Sequence, residues 1–112
     1  MAEIVYEDVL GEATPLPTGA VAASAPVDVN GARTVHLMFG VAGPHTDVSW
    51  RLSFGPFTNG AFATTNSGTF QDDSIVAIAV PVFAPSLFLE LENQSTQDET
   101  GFGKIYFIRD MT

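Results

Sequence analysis

The sequence predicts an all-β chain: a single-domain antiparallel β-sandwich, jelly-roll-like, with about seven or eight short strands. Apolar and polar residues alternate over several segments, which is the period-two pattern of half-buried strands. Turn-forming dipeptides such as Asn30-Gly31 and Asn59-Gly60 separate these segments, because both residue types tolerate a positive φ. No stretch combines helical spacing of apolar residues with helix caps. An irregular strand spacing favours a sandwich over an up-and-down barrel.

The clearest alternation covers residues 33–54, which read RTVHLMFGVAGPHTDVSWRLSF. We interpret this stretch as two strands joined into a β-hairpin by a turn that contains Gly43 and Pro44. Its apolar face is predicted to form the centre of the hydrophobic core. The residues on that face are Val35, Leu37, Phe39 and Val41 in the first strand and Val48, Trp50, Leu52 and Phe54 in the second.

Several further segments have the character of strands. Residues 3–10 form a short strand, and residues 20–24 form a weak one. Residues 74–83 are almost continuously apolar, which is typical of a strand covered on both faces. Pro81 has no N–H to donate, so we expect a bend, a bulge or a sheet edge there. In residues 86–93 the leucines are predicted to face inward.

The chain of 112 residues is long enough for one domain with its own core. Residues 1–12 are interpreted as an N-terminal arm or edge strand, residues 13–19 as a connector rich in Pro and Gly, and residues 20–112 as the sandwich. Such an arm has two alternatives. It folds back onto its own sheet, or it adds a strand to the open sheet edge of a neighbouring subunit.

The net charge is −9, from 13 acidic residues against 4 Lys and Arg. A chain this acidic is repelled by phosphate backbones and anionic membranes, so nucleic acid is excluded as a partner. Membrane insertion is not expected either, because no apolar run approaches the roughly 20 residues that span a bilayer. The acidic first residues do not resemble a signal peptide, so we expect a mature form or a cytosolic product.

The sequence offers little for catalysis or metal binding. It has no cysteine, so it has neither disulfides nor thiolate ligands. His36 and His45 have a spacing that matches no established metal site, and no serine elbow motif accompanies them. We therefore predict no catalytic, cofactor-binding or metal-binding residues. Calcium binding by the acidic loops at Asp72-Asp73, or at Asp98-Glu99 with Asn93, is left open.

The aromatic and apolar residues exceed what one small sandwich hides, and contiguous exposed apolar surface usually marks an interface. We therefore expect a homo-oligomer. Trp50 lies on the predicted core face; in a second interpretation it is an exposed platform that stacks on sugar. The candidate interface residues are Ile4, Tyr6, Val9, Met38, Phe57, Phe88 and Tyr106.

Three functional classes follow from these observations. We expect a non-enzymatic structural subunit that self-associates, such as a virion decoration protein or a component of a fibre or surface filament. Its setting would then be a virion or an extracellular assembly, although the sequence does not determine a localisation. The alternative is a carbohydrate-binding module, and the least favoured class is a small enzyme of cupin or glycosidase type. Fold alone does not decide among them.

Overall fold

The computed structural model describes residues 2–42, 47–56, 62–70 and 75–110. In these ranges the chain forms strands and turns without a helix, so no helix of the described chain is long and apolar enough to cross a membrane. The strands are β1 (Ala2–Leu16), β2 (Val21–Ala23), β3 (Val27–Asp28), β4 (Ala32–Ala42), β5 (Val48–Gly55), β6 (Ala63–Thr69), β7 (Ile75–Pro81), β8 (Ser86–Asn93) and β9 (Glu99–Asp110).

Two antiparallel sheets pack on one core, as the sequence predicted. We call the sheet with strand order β1-β9-β4-β7 sheet A, and the sheet with order β2-β8-β5-β6 sheet B; β3 also pairs with β8 in sheet B. The all-β, jelly-roll-like sandwich is thereby confirmed, with nine described strands rather than seven or eight.

The prediction that residues 33–54 form a hairpin is wrong, but the prediction of which side chains in this stretch face the core is right. β4 belongs to sheet A and β5 to sheet B, so the two strands do not pair. Both nevertheless bury the predicted face, and the rings of Phe39 and Trp50 meet across the core with centroids 4.9 Å apart. Alternation specifies which face is buried, but it does not specify which strand lies alongside. Two strands that share a core can face each other as well as pair.

The core is built where the inward faces of the two sheets meet. Phe39 lies at its centre, with Trp50 on one side and the Phe70 ring 6.0 Å away in an edge-to-face arrangement. The inward leucines of β8 are also buried, as predicted. The largest fully buried side chains are Phe39, Phe70, Phe107, Leu16, Leu52, Leu87, Leu89, Leu91, Ile105, Val29 and Val35.

The N-terminal segment is a long edge strand in this structure. β1 pairs with β9 of the same chain from Ala2, opposite Asp110, to Leu16, opposite Glu99. The register shifts twice on the way, and Ala13 in the second irregular stretch has a φ of 56°. Residues 13–16 of the predicted connector therefore lie in the strand. The division of the chain into arm, connector and body stays a prediction.

β7 is the other edge strand of sheet A. The prediction of coverage on both faces is wrong for the single chain, because its outward residues are exposed, Ile75 by 59%. Of the bend, bulge or sheet edge expected at Pro81, the structure has the sheet edge, since Pro81 ends this edge strand opposite Thr34. A proline is tolerated there because an edge strand leaves half of its N–H groups unpaired within the sheet. The apolar outer face of β7 has no cover within the chain.

Gly68 supplies the room in which the Trp50 ring packs. A Cβ atom built on Gly68 would lie 2.8 Å from atoms of that ring, which is closer than packed carbon atoms approach. We expect Gly68→Ala to lower the free energy of unfolding by about 1–3 kcal/mol, the usual cost of overpacking a core. Denaturant unfolding monitored by Trp50 fluorescence measures this change.

Gly11→Ala is the matched control for this substitution. A Cβ at Gly11 would meet nothing closer than the Thr14 hydroxyl oxygen at 4.0 Å. Its effect on unfolding should therefore stay within about 0.5 kcal/mol, as for ordinary surface changes. Equal losses in the two variants would contradict the packing role of Gly68.

Candidate interaction surface

The outer face of sheet A, which we call face A, is an exposed apolar surface. Alternation along each strand buries one set of side chains in the core and points the other outward. Here the outward set is also largely apolar, with exposed fractions from 36% for Tyr106 to 67% for Ile4. Its large members in the described residues are Ile4, Tyr6, Met38, Ile75, Tyr106 and Ile108.

The register aligns these side chains into rows that cross all four strands. Tyr6 on β1 lies opposite Tyr106 on β9, Tyr106 opposite His36 on β4, and His36 opposite Ala79 on β7. The two tyrosine rings are 6.4 Å apart in an edge-to-face arrangement, and the His36 ring is 5.9 Å from Tyr106. Such cross-strand contacts hold the aromatic side chains in defined positions.

Face A has a ridge and a trough. The ridge consists of the large side chains of β1 and β9, namely Ile4, Tyr6, Tyr106 and Ile108. The trough lies over β7, where the outward residues Ala77 and Ala79 are small. A groove with a cavity volume of about 450 Å³ follows this relief and is lined mainly by Tyr6, His36, Met38, Ala77, Ala79 and Tyr106.

Charge in the central rows of face A is balanced. In the rows that run through Ile4, Tyr6 and Asp8, the charged outward side chains of the described residues are Asp8 and Lys104. They form an ion pair with Nζ and Oδ1 2.6 Å apart, and this hydrogen bond raises the pKa of the Lys104 ammonium group. The pair occupies a row with Met38 and Ala77. The centre of face A is thus close to neutral in a chain whose net charge is −9, and the acidic residues Glu12 and Asp110 lie toward its two ends.

The outer face of sheet B, which we call face B, is polar by comparison. Arg51 and Glu90 form an ion pair across β5 and β8 with 3.4 Å between nitrogen and oxygen. Phe88 is half-buried on this face, and its ring packs edge-on against Phe62 at 4.8 Å. The edge strand β6 contributes the hydroxyl side chains of Thr64, Ser67 and Thr69. Face B therefore lacks the continuous apolar surface of face A in the described chain.

The predicted interface residues separate into three groups. Ile4, Tyr6, Met38 and Tyr106 come together on face A. Phe88 lies on face B, and Val9 is half-buried against the core. Phe57 lies outside the described residues.

Sequence reasoning missed Ile75, Ile108 and the two alanines of the trough. The signal that identifies the trough is the apolar run of residues 74–83, whose outward positions carry no charge. Ile108 follows from extending the alternation of Lys104 and Tyr106 by one more outward position.

Trp50 is a core residue, so the interpretation of an exposed sugar-stacking platform is wrong. Only 9% of its surface is exposed, one side of the ring contacts Phe39, and Gly68 lies against the ring as well. A stacking platform needs an open ring face, and the packing around Trp50 leaves none.

The polar residues considered for catalysis or calcium have structural partners where they are described. Asn93 is fully buried; its amide donates to the carbonyl oxygens of Leu16 and Gln97, and its oxygen accepts from Ser95. Asp98 accepts a hydrogen bond from the backbone N–H of Thr18. Within the described ranges, no group of three or more His, Asp or Glu side chains is placed to hold a metal ion. His45, Asp72 and Asp73 lie outside those ranges.

Comparisons with known proteins identify the fold but no family. No protein-family model matches the chain, and no curated protein matches its sequence. Among solved structures, a subunit from Bacillus endospore appendages, described as a novel family of disulfide-linked pili, is similar with a TM-score of 0.66. The similarity covers 100% of this chain and 92% of that chain at 11% identity.

Two other similar structures belong to different kinds of protein. The VP2 subviral particle of infectious bursal disease virus has a TM-score of 0.59 at 8% identity, covering 96% of this chain and 33% of that chain. A carbohydrate-binding module from Cellvibrio mixtus lichenase 5A has a TM-score of 0.51 at 12% identity, covering 87% of this chain and 75% of that chain. The structural similarity shows a shared jelly-roll-like architecture, and at such low sequence identities it shows the fold alone.

Proposed function

We propose that this protein is a non-enzymatic structural subunit that associates with copies of itself through face A, as part of a filament, a fibre or a virion surface. The observation that carries the proposal is the exposed apolar surface of sheet A. Ile4, Tyr6, Met38 and Ile108 expose about half or more of their surface there. Burying such a surface is favourable in proportion to the apolar area removed from water.

The charge distribution supports a contact between copies. Two chains that each carry a net charge of −9 repel each other, and the repulsion is weakest where acids are few or paired. In the central rows of face A the one carboxylate of the described residues, Asp8, is paired with Lys104, so two copies can approach along these rows without an unpaired carboxylate between them.

The architecture also supports an assembly role. A pilus subunit and a viral capsid protein share the fold, and the pilus subunit matches over nearly the full length of both chains. The pili in that structure are described as disulfide-linked, whereas this chain has no cysteine. The assembly we propose is therefore held by non-covalent contacts. The carbohydrate-binding alternative loses its main residue, because Trp50 is buried.

The proposal leaves two pairings open for β1. It pairs with β9 of its own chain, as in this structure, or with β9 of a neighbouring subunit. β1 is an edge strand of 15 residues, and its pairing partner β9 is an interior strand of sheet A. A strand in this position can also add to the same sheet of a neighbour, because main-chain hydrogen bonds supply affinity in such strand addition.

Self-association is tested by size-exclusion chromatography with light scattering over a range of concentrations. We expect the wild type to form dimers or larger species as concentration rises. Met38→Glu introduces a carboxylate at the centre of face A, and it should shift the protein to monomer by weakening association roughly tenfold or more.

Thr69→Glu is the matched control, since it adds the same charge at an exposed position of the edge strand β6 in sheet B. It should associate like the wild type. A wild type that stays monomeric at every concentration would refute the proposed function. Equal effects of the two variants would move the contact away from face A.

The path of β1 is tested with the double variant Tyr6→Cys/Tyr106→Cys. Directly opposite residues of an antiparallel pair have Cα atoms about 4.5–5.5 Å apart, which suits a disulfide. Because the chain has no other cysteine, every disulfide must form between these two positions. We expect an intrachain bond and monomer mobility on a non-reducing gel, since β1 pairs with its own β9. A reducible covalent dimer would instead show that β1 is exchanged; each single variant is the control.

A further inference from the structure

The relief of face A is complementary to itself. The ridge of large side chains stands on β1 and β9, on one half of the sheet, and the small Ala77 and Ala79 lie on β7 at the opposite edge. On that second half the large apolar outward residues are Met38 of β4 and Ile75 at the start of β7. A surface with a ridge on one side of a centre line and a trough on the other fits a second copy that is turned about that line. Closed dimers of this kind use the same patch on both subunits.

We propose that two copies pack face A against face A about a twofold axis that lies in the interface, parallel to the strands and between β9 and β4. This proposal rests on the proposed function and names the geometry of the first contact. Rotation about that axis places β1 of one copy over β7 of the other. The ridge of each copy then enters the trough of its partner.

The register predicts the contacts between the copies. An axis parallel to the strands superimposes each row on the same row of the other copy, within the roughly 30° rotation usual for stacked sheets. In the aromatic row, Tyr6 covers the partner's Ala79, and Tyr106 meets the partner's His36. An axis perpendicular to the strands would place ridge on ridge and hold the sheets apart at the troughs.

The area is sufficient for a specific dimer. Four strands about 4.8 Å apart, each contributing about eight residues at roughly 3.4 Å, give a projected area of about 500 Å² per copy. Burying it on both copies removes about 1,000 Å² or more of accessible surface, which reaches the lower range for specific interfaces. The edges of both sheets stay open in such a dimer, so it is able to act as the unit of a larger assembly.

Face A fits a second face A better than it fits the other outer surface of the chain. Face B presents the hydroxyl side chains of β6 beside its ion pair, and contact with face A would remove these polar groups from water without giving them hydrogen-bond partners. Against a second face A, the apolar rows meet apolar rows. The ion pair of Asp8 and Lys104 stays together and lies over the partner's Ala77 and Met38.

The proposal is tested by exchanging ridge and trough. Tyr6→Ala removes part of the ridge, and Ala79→Tyr fills the trough; each should raise the dimer dissociation constant by roughly tenfold or more. The double variant restores a large residue opposite a small one at both contacts, and it should return to within roughly threefold of wild type. Both positions are exposed in the single chain, and unchanged thermal unfolding of dilute monomer confirms that each variant folds.

Cross-linking determines the direction of the axis. Asp8→Cys and Ala77→Cys, prepared separately and then mixed, should be joined by a short bismaleimide, because the two residues share a row and face each other across the dimer. Asp8→Cys alone should not cross-link, since its two copies lie about three strand spacings, or roughly 14 Å, apart along the sheet.

The outcomes separate this geometry from the proposed function. Efficient cross-linking of Asp8→Cys to itself, or additive losses in the double variant, would overturn the proposed axis and leave self-association standing. Dimers in light scattering that respond to neither the exchange nor the cross-linker would overturn the use of face A. A protein that is monomeric throughout would overturn both.

Discussion

The contact of Phe39 with Trp50 across the core is the constraint on which the rest of this structure depends. It holds β4 and β5 on opposite sheets, although only five residues separate them in the chain. β4 then pairs with β9 and β7, while β5 pairs with β8 and β6. Gly68 makes the contact possible, because any larger residue would occupy the space of the indole ring. This one contact thus joins the two sheets at the centre of the core.

The division into two sheets gives the two outer surfaces different characters. β1, β9, β4 and β7 meet in sheet A, and their outward residues combine into one apolar surface with a single ion pair among its central rows. The outward residues of sheet B are polar or charged along most of β5, β6 and β8. A strand alternation that buries one face thus leaves a second apolar face on one side of the molecule only. We interpret this asymmetry as the basis of self-association.

Much of the candidate surface was accessible to sequence reasoning, because period-two alternation assigns each residue to a face. Ile4, Tyr6, Met38 and Tyr106 were recognised as apolar residues that the core does not need. Their proximity was not predictable, since the strands that carry them are far apart in the chain and meet only through pairing. The alanines of β7 were missed for a related reason. A small residue has meaning as a trough only beside the larger residues of neighbouring strands.

The sequence by itself determined the all-β class, the inward set of β4, β5 and β8, and the restriction of Pro81 to a bend, a bulge or a sheet edge. These properties are local, because they follow from the side-chain period and from the missing N–H of proline. Only the tertiary structure decided that residues 33–54 span two sheets, that Trp50 is enclosed by Phe39 and Gly68, and that β1 continues through its irregular stretch to Leu16. Pairing partners depend on which apolar faces fill one shared core, and no single segment contains that information.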